Sequence, residues 1–410
     1  MKRFFVFLLS AVLLLTFSAC KKETASQPVL SQWDFSYSPA ETEQIDFRND
    51  EVVLVGIQGD VLVFKQKIST TMWRFFAANL QTGEIGTIGE QPGLGNWTTL
   101  GGLRYIDDRL FLSVKNTNTI YGFSLENSGF EEVYSNPDST LYDLSIMDGK
   151  FYYRLAFREK VNGEDEWVGS ALACFDPQTG KQTILTERKV ENGKADHFRH
   201  FSCANGKLYT LTQSYFYPEN RQQVTQSTPG LHWRMEVFSG DGALEKTYSM
   251  ELEMRKDNDT ATTEFAVYGD YLFVGKWYES SFYQIDEEEL KMVAFGGDLD
   301  HSSTAFTCRE ISCSGEKPEQ LLMICGRNWL ILDPESKSLY VVDCPQLKNR
   351  EDKQISETYY DGANMIYYAP SGDEKEGYYY TKLEDLMEEA RRIPLEDGKV
   401  LNLSDFGLTE

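Results

Sequence analysis

The stretch MDGKFYYRLA, residues 147–156, decides how this chain is read. Asp148-Gly149 is a pair that tolerates positive φ, as a two-residue hairpin turn requires. Beyond the turn, Phe151, Tyr153 and Leu155 recur at every second position, the period of a strand with two faces. Five other stretches share the pattern: IQGDVLVFKQ at 57–66, IDDRLFLSVK at 106–115, ANGKLYTLTQ at 204–213, YGDYLFVGKW at 268–277 and YDGANMIYYA at 360–369. Each predicts an apolar strand, a tight turn of Gly, Asp or Asn, and a second strand.

A second element accompanies these hairpins. NLQTGEIGTI at 79–88, FDPQTGKQTIL at 175–185, FSGDGALEKTY at 238–248 and LDPESKSLYVV at 332–342 each read as a strand that ends, turns and returns. Between the fifth and last hairpins, LLMICG, NWLILDP and SLYVVD (321–343) supply a sixth unit that lacks the Gly-Asp turn. Seven units then cover residues 52–395. The first and last turns lie about 302 residues apart over six intervals, or about 50 residues each, which is the range of four-stranded propeller blades. The body therefore resembles a seven-bladed β-propeller. The sixth unit and the N-terminal strand set the count, and six or eight blades are the neighbouring alternatives. The Asp-x-x-Thr-Gly turn of Asp176–Gly180 is similar to that of quinoprotein-like and related bacterial propeller repeats. No repeat carries the Trp-Asp dipeptide of the WD40 kind, and the sialidase box and the quinone-binding signature are missing. The resemblance thus implies an architecture and no cofactor.

Two segments depart from the repeat. Thr381–Arg392, TKLEDLMEEARR, has apolar residues at 383, 386, 387 and 390. It predicts one short helix near the C-terminus of an otherwise all-β chain, with Thr381 and Glu384 as a capping box. WDFSYS at 33–38 is expected to pair with the last blade and close the ring, which removes exposed strand edges.

The first twenty residues follow different rules. Lys2 and Arg3 precede an apolar run from Phe4 to Phe17, and Ser18-Ala19 lead to Cys20. This is the three-part pattern of a secretory signal, too short for a stable span of roughly 20 residues. Phe17-Ser18-Ala19-Cys20 resembles the cleavage site of bacterial lipoprotein signals, with Phe where Leu is usual. The resemblance implies a diacylglyceryl thioether on Cys20, which becomes the first mature residue, and further acylation (palmitate or a similar chain). Two chains suffice for stable anchoring where one is marginal. The expected organisation is a signal peptide at 1–19, an anchor and tether at 20–32, and a propeller at 33–410. The expected location is the extracytoplasmic face of a bacterial cell envelope.

Composition narrows the partners. With 40 Lys and Arg against 64 Asp and Glu, the net charge is −24. No basic patch interrupts this acidity, which excludes a nucleic-acid partner. Cys174, Cys203, Cys308, Cys313, Cys325 and Cys344 follow Cys20, and Cys174 and Cys325 sit in apolar strand runs. These read mostly as buried thiols, with Cys308–Cys313 or Cys325–Cys344 bridges as the alternative in an oxidising setting. No full set of four Cys and His ligands at zinc spacing occurs, so no metal is expected.

Catalytic motifs are missing: no nucleophile elbow, P-loop, dinucleotide fingerprint, EF-hand or HExxH occurs. The candidate polar groups are Asp196-His197 and Asp300-His301, each placed before the first strand of a unit, where they could meet at the channel mouth. The polar stretch 214–231, SYFYPENRQQVTQSTPGL, predicts an exposed loop. It supplies Tyr215, Phe216, Tyr217 and Arg221, types enriched at binding hot spots. The favoured reading is a membrane-anchored scaffold that binds a protein, peptide or glycan without catalysis. The alternative is a hydrolase or lyase acting on an extracellular polymer at the channel mouth.

Overall fold

Hydrogen-bonded four-stranded meanders follow one another along the chain in a computed structural model. The structure describes residues 34–35, 43–46 and most of 52–408, leaving out 93–99, 217–231, 251–261, 298–307, 348–354, 370–376 and shorter gaps. The signal run, Cys20, Asp300, His301, Tyr217 and Arg221 lie outside the described residues. Two short strands come first, β1 (Asp34–Phe35) and β2 (Glu43–Asp46). Blade one is β3 (Val52–Gln58), β4 (Val61–Ser69), β5 (Met72–Asn79) and β6 (Ile85–Pro92). Blade two is β7 (Leu100–Ile106), β8 (Arg109–Val114), β9 (Thr119–Ser124) and β10 (Asn127–Ser135). Blade three is β11 (Ser139–Met147), β12 (Lys150–Val161), β13 (Glu164–Asp176) and β14 (Lys181–Lys189). Blade four is β15 (Lys194–Ala204), β16 (Lys207–Phe216), β17 (His232–Ser239) and β18 (Leu244–Met250).

Blade five is β19 (Thr262–Tyr268), β20 (Tyr271–Lys276), β21 (Glu279–Ile285) and β22 (Leu290–Gly297). Blade six is β23 (Cys308–Glu310), β24 (Leu321–Cys325), β25 (Asn328–Asp333) and β26 (Ser338–Asp343). Blade seven is β27 (Glu357–Tyr360), β28 (Asn364–Ala369) and β29 (Gly377–Lys382). A helix, α1 (Leu383–Glu388), and two last strands, β30 (Arg391–Pro394) and β31 (Leu401–Asn402), complete the chain. The fold is a seven-bladed β-propeller.

The hairpins form where the turn residues allow. Asp148 and Gly149 have φ of 51° and 66°, and Asn205 and Gly206 have 51° and 70°, the double positive φ of a type I′ turn. First strands lie innermost and neighbour one another round the axis. Each blade is an antiparallel meander, so its first–second and third–fourth turns share one face of the ring. The second–third and blade-to-blade connections share the other.

Packing between blades makes the core. Leu54, Phe64 and Ala78 of blade one meet Ile366 and Tyr380 of blade seven. Tyr152 and Leu172 of blade three meet Phe198, Phe201 and Phe238 of blade four. Between blades six and seven, Trp329 sits edge-on to Tyr367 at 4.6 Å. Buried serines tie neighbours together: Phe198 N donates to Ser170 Oγ at 3.3 Å, and Cys308 N to Ser280 Oγ at 3.3 Å. Both serines lie in the third strand of one blade and reach the first strand of the next, so a polar side chain there is satisfied although buried.

Ring closure uses the N-terminus, one strand later in sequence than expected. Strand β2 pairs with β29 of blade seven, Glu43 opposite Tyr380, and β1 pairs only with β2. Asp361 Oδ2 of blade seven also accepts from Gly59 N of blade one.

The C-terminal segment departs further from expectation. The helix covers only Leu383–Glu388, because β29 continues through Lys382. Lys382 is the N-cap, no side chain caps it, and Thr381 is buried in the sheet, so the Thr381–Glu384 box does not form. Beyond it the chain turns back along the ring. Strand β30 adds antiparallel to the outer edge of blade six, and β31 adds parallel to the outer edge of blade five. The cysteines differ from expectation at one pair. Cys308 and Cys325 face each other across β23 and β24 and form a disulfide. Neither Cys308–Cys313 nor Cys325–Cys344 forms; Cys174, Cys203, Cys313 and Cys344 remain thiols.

Candidate functional site

Blade four carries the charged residues that the sequence singled out. Asp196 and His197 lie inside the first strand and not ahead of it, opposite Ser214 and Gln213 of β16. Successive residues of a strand point to opposite faces, so the two side chains do not converge. Asp196 Oδ2 meets Arg188 Nη1 at 3.0 Å and Arg234 Nη2 at 2.8 Å, while Oδ1 accepts from Ser214 Oγ at 2.6 Å. Glu236 Oε1 accepts from Arg188 Nη2 at 2.8 Å and Arg234 Nε at 2.9 Å. Its Oε2 accepts from Thr212 Oγ1 at 2.7 Å.

Two cations and two carboxylates therefore close a ring of charge-assisted bonds. Arg188 comes from the last strand of blade three, so this ring ties two blades. Burial acts to raise the Asp196 carboxyl, but bonds from Ser214 and Arg234 and the charges of both arginines hold it below its usual range. Burial likewise acts to lower Arg234, and its bonds to Asp196 and Glu236 raise it instead. A carboxylate held between two guanidinium groups is a poor general base and a closed metal ligand.

His197 is partly buried on the other face. Burial, then the charges of Arg154, Arg199 and His200, push its pKa down to about 2. It stays neutral near neutral pH. An unfolded His titrates near 6.5, so below that value the unfolded state binds the extra proton and stability falls as pH drops. The expected loss between pH 6.5 and 5 is about 1 kcal/mol, below the ~2 kcal/mol limit for one proton because the ring keeps some solvent. Urea titrations at the two pH values check this: His197→Gln should show a shallower loss, and an equal loss would place the acid sensitivity elsewhere.

The expected exposed loop begins later than 214. Strand β16 continues through Phe216, with Tyr215 opposite Ala195 and Phe216 opposite Lys194, and Ser214 belongs to the charged ring.

Two arrangements have no counterpart in the sequence reading. The first is a ribbon in blade three. Among the described residues, the pairing of β12 with β11 ends at Phe157 and that of β13 with β14 at Gly169, with one further outer bond from Val190 N to Val168 O at 3.0 Å. Arg158 to Val161 pair with Glu164 to Trp167, on the face where β16 ends at Phe216. The second is at the axis. Arg104 of β7 is 8% exposed and donates through Nη2 to Leu144 O of blade three at 3.3 Å. Burial lowers its pKa, opposed by Cys313, Glu310 and Tyr268. Tyr268 Oη of blade five donates to Glu310 Oε1 of blade six at 3.1 Å, and burial with this carboxylate raises the phenol well above its usual range. Blades two, three, five and six thus meet near the axis. A lone Arg in the apolar strand LGGLRYI was the available signal. Among the described residues, no group of three His, Cys, Asp or Glu could hold a metal ion.

Fold and site together define a β-propeller in which the charged network of blade four is internally neutralised. No family model matches the chain, and no characterised protein matches its sequence. Solved structures are similar in fold. A Mycobacterium tuberculosis puromycin-hydrolyzing peptidase matches at 10% identity and TM-score 0.48, covering 89% of this chain and 55% of that one. The β-propeller domain of a Myceliophteria thermophila protein matches at 10% identity and TM-score 0.43, covering 85% and 97%. Oligopeptidase B from Leishmania major matches at 11% identity and TM-score 0.45, covering 78% and 46%. The chain spans about half the length of these two peptidases. Likeness at this level carries no argument about chemistry.

Proposed function

We propose that this protein is a membrane-anchored binding propeller that holds a protein partner on the face bearing its second–third strand connections, without catalysis. The blade-three ribbon carries the reading. It stands on a rigid ring as a two-stranded extension of the blade-three meander, and β16 ends at Phe216 on the same face one blade on. Connections on a rigid scaffold are where binding residues concentrate, and the segment from Tyr215 to Arg221 is rich in hot-spot types. The closed ring of Asp196, Arg188, Arg234 and Glu236 weighs against the hydrolase or lyase reading, as does His197 on the other face. The anchor is the lipid expected on Cys20, with 20–32 as tether at the outside of a bacterial envelope.

Crosslinked capture from intact envelopes tests it. Deleting 217–231, or replacing 158–167 by a two-residue turn, should abolish capture and leave the melting temperature nearly unchanged. Cys20→Ala should abolish lipid labelling and leave unprocessed precursor or released protein. Capture retained by both deletions would overturn the rim, and a glycan array hit lost on deletion would replace a protein partner by a sugar. A hydrolytic rate lost on His197→Ala would favour the enzyme.

A further inference from the structure

On the opposite face, the inner hairpins of blades three, four and five leave a cavity of about 220 Å³. The same turn position of three blades builds its walls: Ile146-Met147-Asp148, Cys203-Ala204-Asn205 and Val267-Tyr268-Gly269, with Pro318 and Glu319 on the blade-six side. The deep side is apolar, with Ile146, Cys203 and Val267 at 4%, 2% and 0% exposure. The middle position holds Met, Ala and Tyr in the three blades, and the small Ala204 opens the room. Hydrogen bonds fix the frame. Asn205 Nδ2 donates to Gly269 O at 3.0 Å, Val267 N to Ser202 Oγ at 3.1 Å, and Tyr268 Oη to Glu310. Gly269 has φ of 54°, and a Cβ there would lie 2.7 Å from Pro334, so this wall position requires glycine. At the rim stand the exposed carboxylates of Asp148 and Glu319, and among the described lining residues none is cationic.

We propose that this cavity binds a small apolar amine of the size of one amino-acid residue. The apolar group fills the space over Ile146, Cys203 and Val267, and the ammonium remains at the rim against Asp148 and Glu319. Size limits the ligand, because pockets for drug-sized molecules hold about 300–1,000 Å³. Charge sets its sign: an anion would face two carboxylates on a body of net charge −24, and a fully buried ammonium would lose its hydration. A free amine and the N-terminal residue of a peptide share this chemistry. The site is independent of the partner rim, so failure of either leaves the other standing.

Isothermal titration of the intact protein with leucinamide, glycinamide, N-acetyl-leucinamide and leucyl-glycinamide tests the proposal. Leucinamide should bind, and glycinamide and the acetylated amide should not, because they lack the apolar group and the charge. Asp148→Asn should weaken binding roughly tenfold, as for a lost bond to a charged group. Ala204→Leu should abolish binding by filling the space, with far-UV circular dichroism unchanged. If that variant does not fold, Glu319→Gln provides a second surface test with the same expected weakening. Binding of leucyl-glycinamide alone would assign the site to peptide N-termini, and binding of leucinamide as well would admit free amines. No heat with leucinamide or leucyl-glycinamide at millimolar concentration would overturn the proposal. So would binding that survives acetylation, or binding that persists unchanged in Asp148→Asn and Glu319→Gln.

Discussion

A chain ended at Glu389 should unfold at far lower denaturant than the full protein, although all seven blades precede the cut. Residues beyond that point complete the core between blades five and six. Ile393, Leu395, Leu401, Leu403 and Leu408 are buried there beside Phe282, Leu332 and Leu339. Leu403 has no exposed surface, so Leu403→Ala alone should cost about 2–5 kcal/mol, the range for a buried Leu. Truncation removes all five apolar side chains and uncovers the outer edges of β22 and β26, which invites pairing between molecules. Urea midpoints measure the loss, and light scattering detects the association. A truncated protein as stable and monomeric as the full chain would show that the tail only decorates the ring.

Glu236→Ala carries the second large effect. Its side chain is 3% exposed and accepts bonds from two arginines and a threonine. Removing one member of a buried ion network leaves the others uncompensated, which costs about 3–5 kcal/mol. The lower end is expected, because Arg188 and Arg234 retain 18% and 20% side-chain exposure. Asp196→Ala should cost less, since its side chain is 42% exposed and water replaces part of the lost interaction. Equal losses at the two positions, from urea midpoints, would contradict the view that burial makes Glu236 the keystone.

The hairpins legible in the sequence are those in which backbone conformation dictates residue type. Asp148-Gly149 and Asn205-Gly206 need positive φ, and few other residues tolerate it. Blade six hid its turn for a physical reason. The connection between its first two strands covers 311–320, and the tight turn at Gly326-Arg327 falls between the second and third strands instead. The edge strands β30 and β31 were illegible because RRIP and LN carry little strand pattern of their own. The exposed edges of β26 and β22 determine their conformation. The site was read least well. Once the strand is seen to start at Lys194, period two alone separates Asp196 from His197. Their surroundings depend on Arg188, Arg234 and Glu236, brought together by the packing of two blades, which no local pattern encodes.

Closure by the N-terminus has a kinetic side. Strand β2 finds its partner β29 only after six other blades have been made, and Gly59 bonds to Asp361 across 302 residues. At roughly 5–20 residues per second, a ribosome needs about 15–60 s to span that separation. Throughout that interval the leading edge waits without its mate, and the rate of maturation is tied to a highly non-local contact. An interrupted synthesis therefore yields a row of finished blades with two uncovered ends, the species that a holding chaperone or a protease would meet first.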